Sequence, residues 1–228
     1  MRVAELQKPH DLRVKSKTIR PLGPGEVLVK IESCGVCGTD LHILEGKSRS
    51  RFPVVLGHEF AGFVEDPGTT DFAVGTHVAV DPNIVCGTCA YCRRGLIHLC
   101  SGLRALGVDI DGGMAEFCLV PTKQIYVLPH GMSAEESMFI EPVSCAIHGM
   151  DMAQVKTGDV VLILGGGTIG LVMLQLVKHA GASAVVVSEP VAWKRAIAGD
   201  LGATIVVDRP QTILKRSSGT RARSAPTW

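Results

Sequence analysis

The sequence predicts an α/β chain in two parts: an all-β-rich domain over residues 1–152, then the first half of a doubly wound parallel sheet over residues 153–208. Three observations carry this. Short runs that alternate apolar and polar residues, broken by Gly and Pro, fill the first part. A continuous apolar run, Val160–Leu164, opens the second. A glycine cluster, Gly165-Gly166-Gly167, follows that run at once. With 228 residues, one large or two modest domains can each bury a core.

Pro21, Gly23, Pro24 and Gly25 punctuate the approach to a first clear strand, Glu26–Ile31, and a second alternation surrounds His77–Val80. Many short strands of this kind predict a barrel-like or partly open β-domain. Ser133 and Glu136 form an S-x-x-E capping box, which starts a helix running toward Phe139. A further helical stretch from Pro142 to about Met152 leads into the second part. There, Val160–Leu164 reads as a strand buried on both faces, followed by a helix over Ile169–His179 and a strand at Ala184–Val187. A helix over Ala192–Leu201 and a short strand at Thr204–Val207 complete a β-α-β-α-β unit. The last stretch, Arg209–Trp228, holds five basic residues and no acidic one, has no sustained period, and reads as an irregular basic tail.

Composition narrows the function classes. A net charge of +1 gives no reason to expect nucleic acid or an anionic membrane surface as partner, and the basic tail carries no recognition module of a nucleic-acid binder. The N-terminal segment has no apolar core of a secretory signal, and no apolar run is long enough to span a bilayer. Eight cysteines in such a chain are expected to stay reduced in the cytoplasm, some of them on metal.

Cys86, Cys89, Cys92 and Cys100 fall in a C-x2-C-x2-C-x7-C run. Four thiolates this close can close a tetrahedral shell around zinc and leave no open position, a structural site. The alternative, buried or disulfide-bonded cysteines, fits poorly without a secretory context. A second set is Cys37 with the pair His58 and Glu59. One sulfur, one imidazole and one carboxylate are ligand types of a catalytic zinc, although a lone Cys or His is more often a satisfied core residue. Gly35, Gly38 and Gly57 flank these residues and permit tight turns. Glu141, beside Pro142, is a further candidate ligand, or an ordinary surface carboxylate. Thr39 offers a hydroxyl that could pass a proton outward and His42 could continue the relay; local turn hydrogen bonding is the other reading of both. Cys34, Cys118 and Cys145 read as small buried hydrophobes.

Gly165, Gly167 and Gly170 spell G-x-G-x-x-G after a predicted strand and at the start of a predicted helix, the context that motif requires. With Thr168 and Ile169 they would set a pyrophosphate against a helix N-terminus. Glu189, nineteen residues past Gly170, is placed to accept from ribose hydroxyls and repel a 2′-phosphate, so NAD is favoured over NADP; the nearby Lys194 and Arg195 blur that preference.

Taken in order, these pieces resemble the zinc-containing medium-chain alcohol dehydrogenases, closest to the polyol branch that includes sorbitol and threonine dehydrogenases. The matching segments are Cys34–His42, Gly57-His58-Glu59, the four-cysteine lobe, Gly112–Glu116, Glu141–His148 and the glycine fingerprint, together spanning residues 1 to about 208. The resemblance implies a GroES-like catalytic domain followed by a partial Rossmann domain. It implies a catalytic zinc on Cys37, His58 and Glu59 with Glu141 as a direct or water-mediated ligand, and a structural zinc on Cys86, Cys89, Cys92 and Cys100. It also implies oxidation of a secondary alcohol or polyol with NAD(P), in a homodimer or tetramer. Gly75-Thr76-His77-Val78 stands where the family carries an acidic–basic pair, a departure expected to affect only a turn.

A complete six-stranded doubly wound domain takes on the order of 130 residues, and about 50 separate Asp159 from Asp208. The change of texture after Asp208 therefore reads as a truncated or frame-shifted chain. Two functions follow. One is a zinc- and NAD(P)-dependent alcohol or polyol dehydrogenase. The other is a catalytically impaired zinc-binding remnant of that scaffold, acting as a structural or binding protein.

Overall fold

The computed structural model describes residues 1–208 and divides into two compact units, Met1–Glu141 and the residues from Pro142 on. The basic tail expected over 209–228 lies outside the described residues.

The first unit runs β1 (Arg2–Leu6), β2 (Leu12–Ser16), β3 (Glu26–Cys34), α1 (Gly38–Leu44), β4 (Val54–Val55), β5 (Phe60–Asp66), β6 (His77–Val80) and β7 (Asn83–Ile84). It continues with β8 (Arg104–Ala105), β9 (Phe117–Pro121), β10 (Ile125–Val127) and α2 (Ala134–Met138). The helix α3 (Ile140–Ala153) then crosses the unit boundary. Five strands form an antiparallel sheet in the order β10-β6-β5-β3-β9, and a smaller sheet is ordered β2-β1-β4. Strand alternation explains the core. Val27 and Val29 on β3 are fully buried, and they pack with Phe60, Val64, Val78, Val80, Leu106, Cys118 and Val120.

Two local devices matter for function. The register of β3 against β5 shifts between Ile31 and Ser33, after which Cys34 lies opposite Phe60. The Gly35 N–H then donates to the Glu59 carbonyl at 2.7 Å. The chain leaving β3 and the chain entering β5 are thus laced together where the candidate ligands sit. Farther along, β7 and β8 pair Asn83 with Ala105 and Ile84 with Arg104, closing the neck of the loop that carries the four cysteines.

The predicted capping box forms: the Ser133 hydroxyl accepts the Glu136 N–H and the Glu136 carboxylate accepts the Ser133 N–H. His77 opens β6, as the alternation over His77–Val80 predicts, but the departure at Gly75–Val78 is not confined to a turn: His77 Nε2 meets Glu32 Oε2 of β3 at 3.1 Å and Ser137 Oγ of α2 at 3.2 Å. Its ring stacks on Phe63 at 4.5 Å. The alternation of β6 turns this side chain toward its neighbours, so His77 joins three elements.

In the second unit β11 (Val160–Leu164), α4 (Thr168–His179), β12 (Ala184–Ser188), α5 (Ala192–Asp200) and β13 (Ile205–Val207) alternate as predicted, and the three strands are parallel in the order β11-β12-β13. Ile163, Val185 and Val187 pack with Leu174 and Val177 of α4 and Ala198 of α5. The expectation that β11 is buried on both faces fails. Ile163 is buried, but Val160, Leu162 and Leu164 are 71%, 47% and 69% exposed. Helix α4 covers one face, and β11 is an edge strand among the described residues. Cys145, expected to be buried, is exposed on α3.

Candidate functional site

The four cysteines converge. Their sulfur atoms all lie within 4.8 Å of one another, and none is in a disulfide. The closest pair described, Cys100 with Cys86, stands 3.5 Å apart, well beyond the roughly 2.05 Å of an S–S bond. Backbone N–H groups point at the sulfurs: Cys86 N at Cys100, Cys89 N at Cys86, and Cys92 N at Cys89. Hydrogen bonds from the Cys92 and Ser101 N–H groups bring the Cys89 thiol down to about 5. Burial and hydrogen bonds with Cys89 and Cys100 push Cys92 up to about 12. Several thiolates cannot ionise side by side without a cation between them, and a divalent metal meets that demand. The donor set fits zinc.

The second set also converges. Donor atoms of Cys37, His58 and Glu59 lie within 4.8 Å of one another. Cys37 is the N-cap of α1, and His58 and Glu59 precede β5, so the lacing of Gly35 to Glu59 delivers all three to one place. Gly57 sits at φ +92°, and a side chain there would strike the Cys34 sulfur at 2.6 Å, so glycine is required next to His58.

Asp40 was not singled out by sequence reading, yet it organises this set. Its side chain is 3% exposed and accepts the Cys37 N–H at 2.8 Å and the Gly57 N–H at 3.3 Å. Its Oδ1 lies 3.6 Å from His58 Nδ1, a buried nitrogen without a hydrogen-bond partner. With Nδ1 turned to a carboxylate, the other ring nitrogen is left for a metal, the arrangement in which an outer carboxylate orients a histidine ligand. Burial pulls the His58 pKa down, but Asp40, Glu141 and Glu59 outweigh it and the net direction is up. Burial pushes the Cys37 thiol up, against hydrogen bonds from the N–H and hydroxyl of Thr39. A thiol, an imidazole turned by Asp40 with its other ring nitrogen left available, and surrounding carboxylates form a cation-seeking cluster, and zinc fits it.

Glu141, in the first turn of α3, acts on His58 electrostatically but is not among the three residues whose donors converge. His42 is exposed on α1, one turn beyond Thr39. The pair shares a helix face by its i, i+3 spacing.

In the second unit the glycine motif takes the predicted strand–turn–helix place. Gly165 has φ +107° and donates to Ser188 O at 2.8 Å, and Gly167 caps α4. A Cβ at Gly170 would sit 1.9 Å from Gly165 O, so the helix approaches the strand end as closely as backbone allows. Thr168 and Ile169 form the exposed first turn, whose N–H groups have no earlier carbonyl in the helix to meet. Glu189 is only 4% exposed, and its carboxylate accepts Gly166 N–H at 2.7 Å and Val191 N–H at 2.8 Å. Arg195 does not reach outward in this structure; its guanidinium donates to the carbonyls of Glu189 and Pro190.

Comparison with known proteins agrees with this architecture. Residues 23–130 match the alcohol dehydrogenase GroES-like domain. The L-threonine 3-dehydrogenase of Pyrococcus horikoshii is 41% identical over 192 residues, covering 82% of this chain and 55% of the relative. A zinc-binding dehydrogenase from Sinorhizobium meliloti, solved with NADP bound, superposes with a TM-score of 0.88 at 44% identity, covering 92% of this chain and 62% of that one. The alcohol dehydrogenase of Aeropyrum pernix superposes with a TM-score of 0.85 at 30% identity, covering 96% and 68%. A GroES-like unit followed by parallel β-α-β units defines a zinc-type dehydrogenase scaffold. The chain belongs to the zinc-dependent medium-chain alcohol dehydrogenase family, on the side of the polyol and threonine dehydrogenases. It spans a little over half the length of the threonine dehydrogenase it matches.

Proposed function

We propose that this protein is a zinc-dependent oxidoreductase that transfers a hydride from a secondary alcohol or polyol to NAD+, with NADP+ the less favoured acceptor. The observation that carries the reading is the convergence of Cys37, His58 and Glu59 within 4.8 Å. Zinc held there would lower the pKa of a hydroxyl by several units, as it does for water, from 15.7 to about 7. Glu141 belongs to the same site as an additional or water-mediated ligand. Asp40 keeps the His58 ring turned, Thr39 holds the substrate proton, and His42 passes it to solvent. A second zinc on Cys86, Cys89, Cys92 and Cys100 shapes the lobe without reacting.

On the cofactor side, Gly165, Gly167, Thr168, Ile169 and Gly170 receive the pyrophosphate at the N-terminus of α4. The Glu189 carboxylate supports NAD by disfavouring a 2′-phosphate. Arg195 borders the ribose end of that site. Eight cysteines outside any disulfide support a reducing, cytoplasmic setting, and no helix among the described residues is long and apolar enough to cross a membrane. The family resemblance supports a homodimer or tetramer.

The exposed apolar side chains of β11 favour a second reading, a zinc-binding scaffold without turnover. One experiment separates the two. The purified chain, loaded with two equivalents of zinc, is assayed for NADH formation against sorbitol, galactitol and L-threonine. Turnover that disappears in Cys37→Ser supports the dehydrogenase. Two bound zinc ions with no turnover on any substrate support the scaffold.

A further inference from the structure

The segment that carries His58 is gripped from behind by a loop whose role the metal set does not account for. Gly112 N–H donates to Val55 O at 2.9 Å, Met114 N–H to Leu56 O at 2.9 Å, and Gly113 N–H to Gly57 O at 2.8 Å. Every carbonyl of the three residues before His58 is therefore taken by the 112–114 backbone. The fit has no slack: a Cβ at Gly112 would sit 2.1 Å from Gly57 O, and one at Gly107 would sit 2.3 Å from the same atom.

What fastens this loop is a side chain. Asp111 Oδ1 accepts Val55 N–H at 3.0 Å, so Val55 is held at both its N–H and its C=O. Asp111 Oδ2 accepts from Lys17 Nζ at 2.6 Å, and Lys17 in turn donates to the buried Glu5 at 2.8 Å. The chain of bonds runs from β1 through Glu5, Lys17 and Asp111 to the backbone that aims His58.

We propose that Asp111 is a positioning residue for the Cys37/His58/Glu59 metal set, tying the 107–114 loop to Val55 and Lys17 and so fixing where His58 and Glu59 point. The inference rests on reading that set as a metal site. Ligand placement within a fraction of an ångström governs metal affinity, and loss of supporting bonds in a metal site costs roughly 10–100-fold.

The test uses the full chain stripped of zinc and titrated with Co²⁺ alone. Four thiolates give a far more intense sulfur-to-cobalt band than one, so the two equivalents are distinguished spectroscopically. Asp111→Ala is expected to weaken the second, low-thiolate equivalent by about tenfold, the lower end of that range, while the first is unchanged. Asp111→Asn, which keeps an oxygen for Val55 N–H but loses the ion pair, is expected to fall between Ala and wild type. A role confined to stability would lower the melting temperature without moving that affinity. Unchanged second-equivalent affinity in both variants overturns the proposal. Should the Ala variant lose the first equivalent too, it has misfolded, and the Asn variant decides by the same criterion. A wild-type chain that takes only one equivalent overturns the metal-site reading itself, and the positioning role falls with it.

Discussion

The Glu189 carboxylate accepts the backbone N–H of Gly166 at 2.7 Å, joining the acid at the end of β12 to the glycine loop at the end of β11. The same carboxylate holds Val191 N–H, and these two bonds keep its pKa below the usual carboxylate range. An acid expected only to meet a ribose thus shapes the glycine loop, the loop proposed to receive the pyrophosphate.

Removing it should consequently weaken both dinucleotides and not merely exchange one for the other. Hydrogen bonds to a charged group contribute about 1.5–3 kcal/mol each, and a tenfold change in affinity corresponds to about 1.4 kcal/mol. Glu189→Ala is expected to lose at least about tenfold in NAD affinity and to gain little for NADP. Glu189→Gln, which retains an acceptor oxygen, should lose less. Calorimetric titration of the full chain with each dinucleotide checks this; a clean switch to NADP at wild-type affinity would refute the loop role.

Glu5 gives the first unit a defined acid sensitivity. It is 2% exposed and is paired with Lys15 and Lys17 and hydrogen-bonded by Gln7. Burial alone would raise its pKa, but the bonds from Lys15, Lys17 and Gln7 outweigh burial and hold it at about 2, from an ordinary 4.5. A depressed folded-state pKa means stability that is present above pH 4.5 and is lost as pH falls toward 2. At 1.36 kcal/mol per unit the ceiling is about 3 kcal/mol, and screening at the half-exposed Lys15 reduces it to about 2 kcal/mol. Urea melts of wild type and Glu5→Gln should differ by about that amount at pH 6, by roughly a quarter of it at pH 2.5, and converge only below the folded-state value of about 2, near pH 1.5. A gap undiminished between pH 6 and about pH 1.5 would show that packing, not charge, accounts for it.

The four-cysteine lobe has little apolar core: of residues 86–103, only Cys100 is buried, and Tyr91, Ile97, Leu99 and Leu103 are exposed. Its order should depend on metal, since structural zinc contributes roughly 10–16 kcal/mol in small domains. Cys89→Ser, or chelation of wild type, is expected to open Arg93 and Arg94 to trypsin. The β3–β5 core should be spared. Cleavage mapped by mass spectrometry is the measurement, and resistance equal to that of the zinc-loaded chain would remove the metal dependence.

How much of this was legible beforehand varied with the physics involved. The four-cysteine lobe and the glycine turn could be read directly, because few forces other than metal or phosphate binding gather such residues at such spacings. Cys37 and His58 were legible as ligand types, but their convergence depends on the register shift in β3, which no residue pattern announces. Asp40 passed unnoticed because a lone acid on a short helix reads as solvated until the fold closes over it. The reach of Asp111 and of His77 is equally hidden, since their partners lie 56 to 94 and 45 to 60 residues away in the chain. Apolar runs carry the opposite ambiguity: Val160–Leu164 promises burial, but only neighbouring strands and helices supply it.

That edge strand yields a last expectation. β11 pairs with β12 alone among the described residues, and Val160, Leu162 and Leu164 project from it largely into solvent. An apolar edge of this kind, without a charge or proline to blunt it, templates pairing with other chains. Leu162 is the central residue of the strand and 47% exposed, so Leu162→Lys removes apolar surface at modest cost to packing. The expected result is a melting temperature within about 2–4 °C of wild type, corresponding to a loss of roughly 0.5–1 kcal/mol. Light scattering of concentrated samples should fall markedly. Scattering that is unchanged by the lysine would place the self-association surface elsewhere, whereas a collapse in melting temperature would mean that Leu162 is covered in solution.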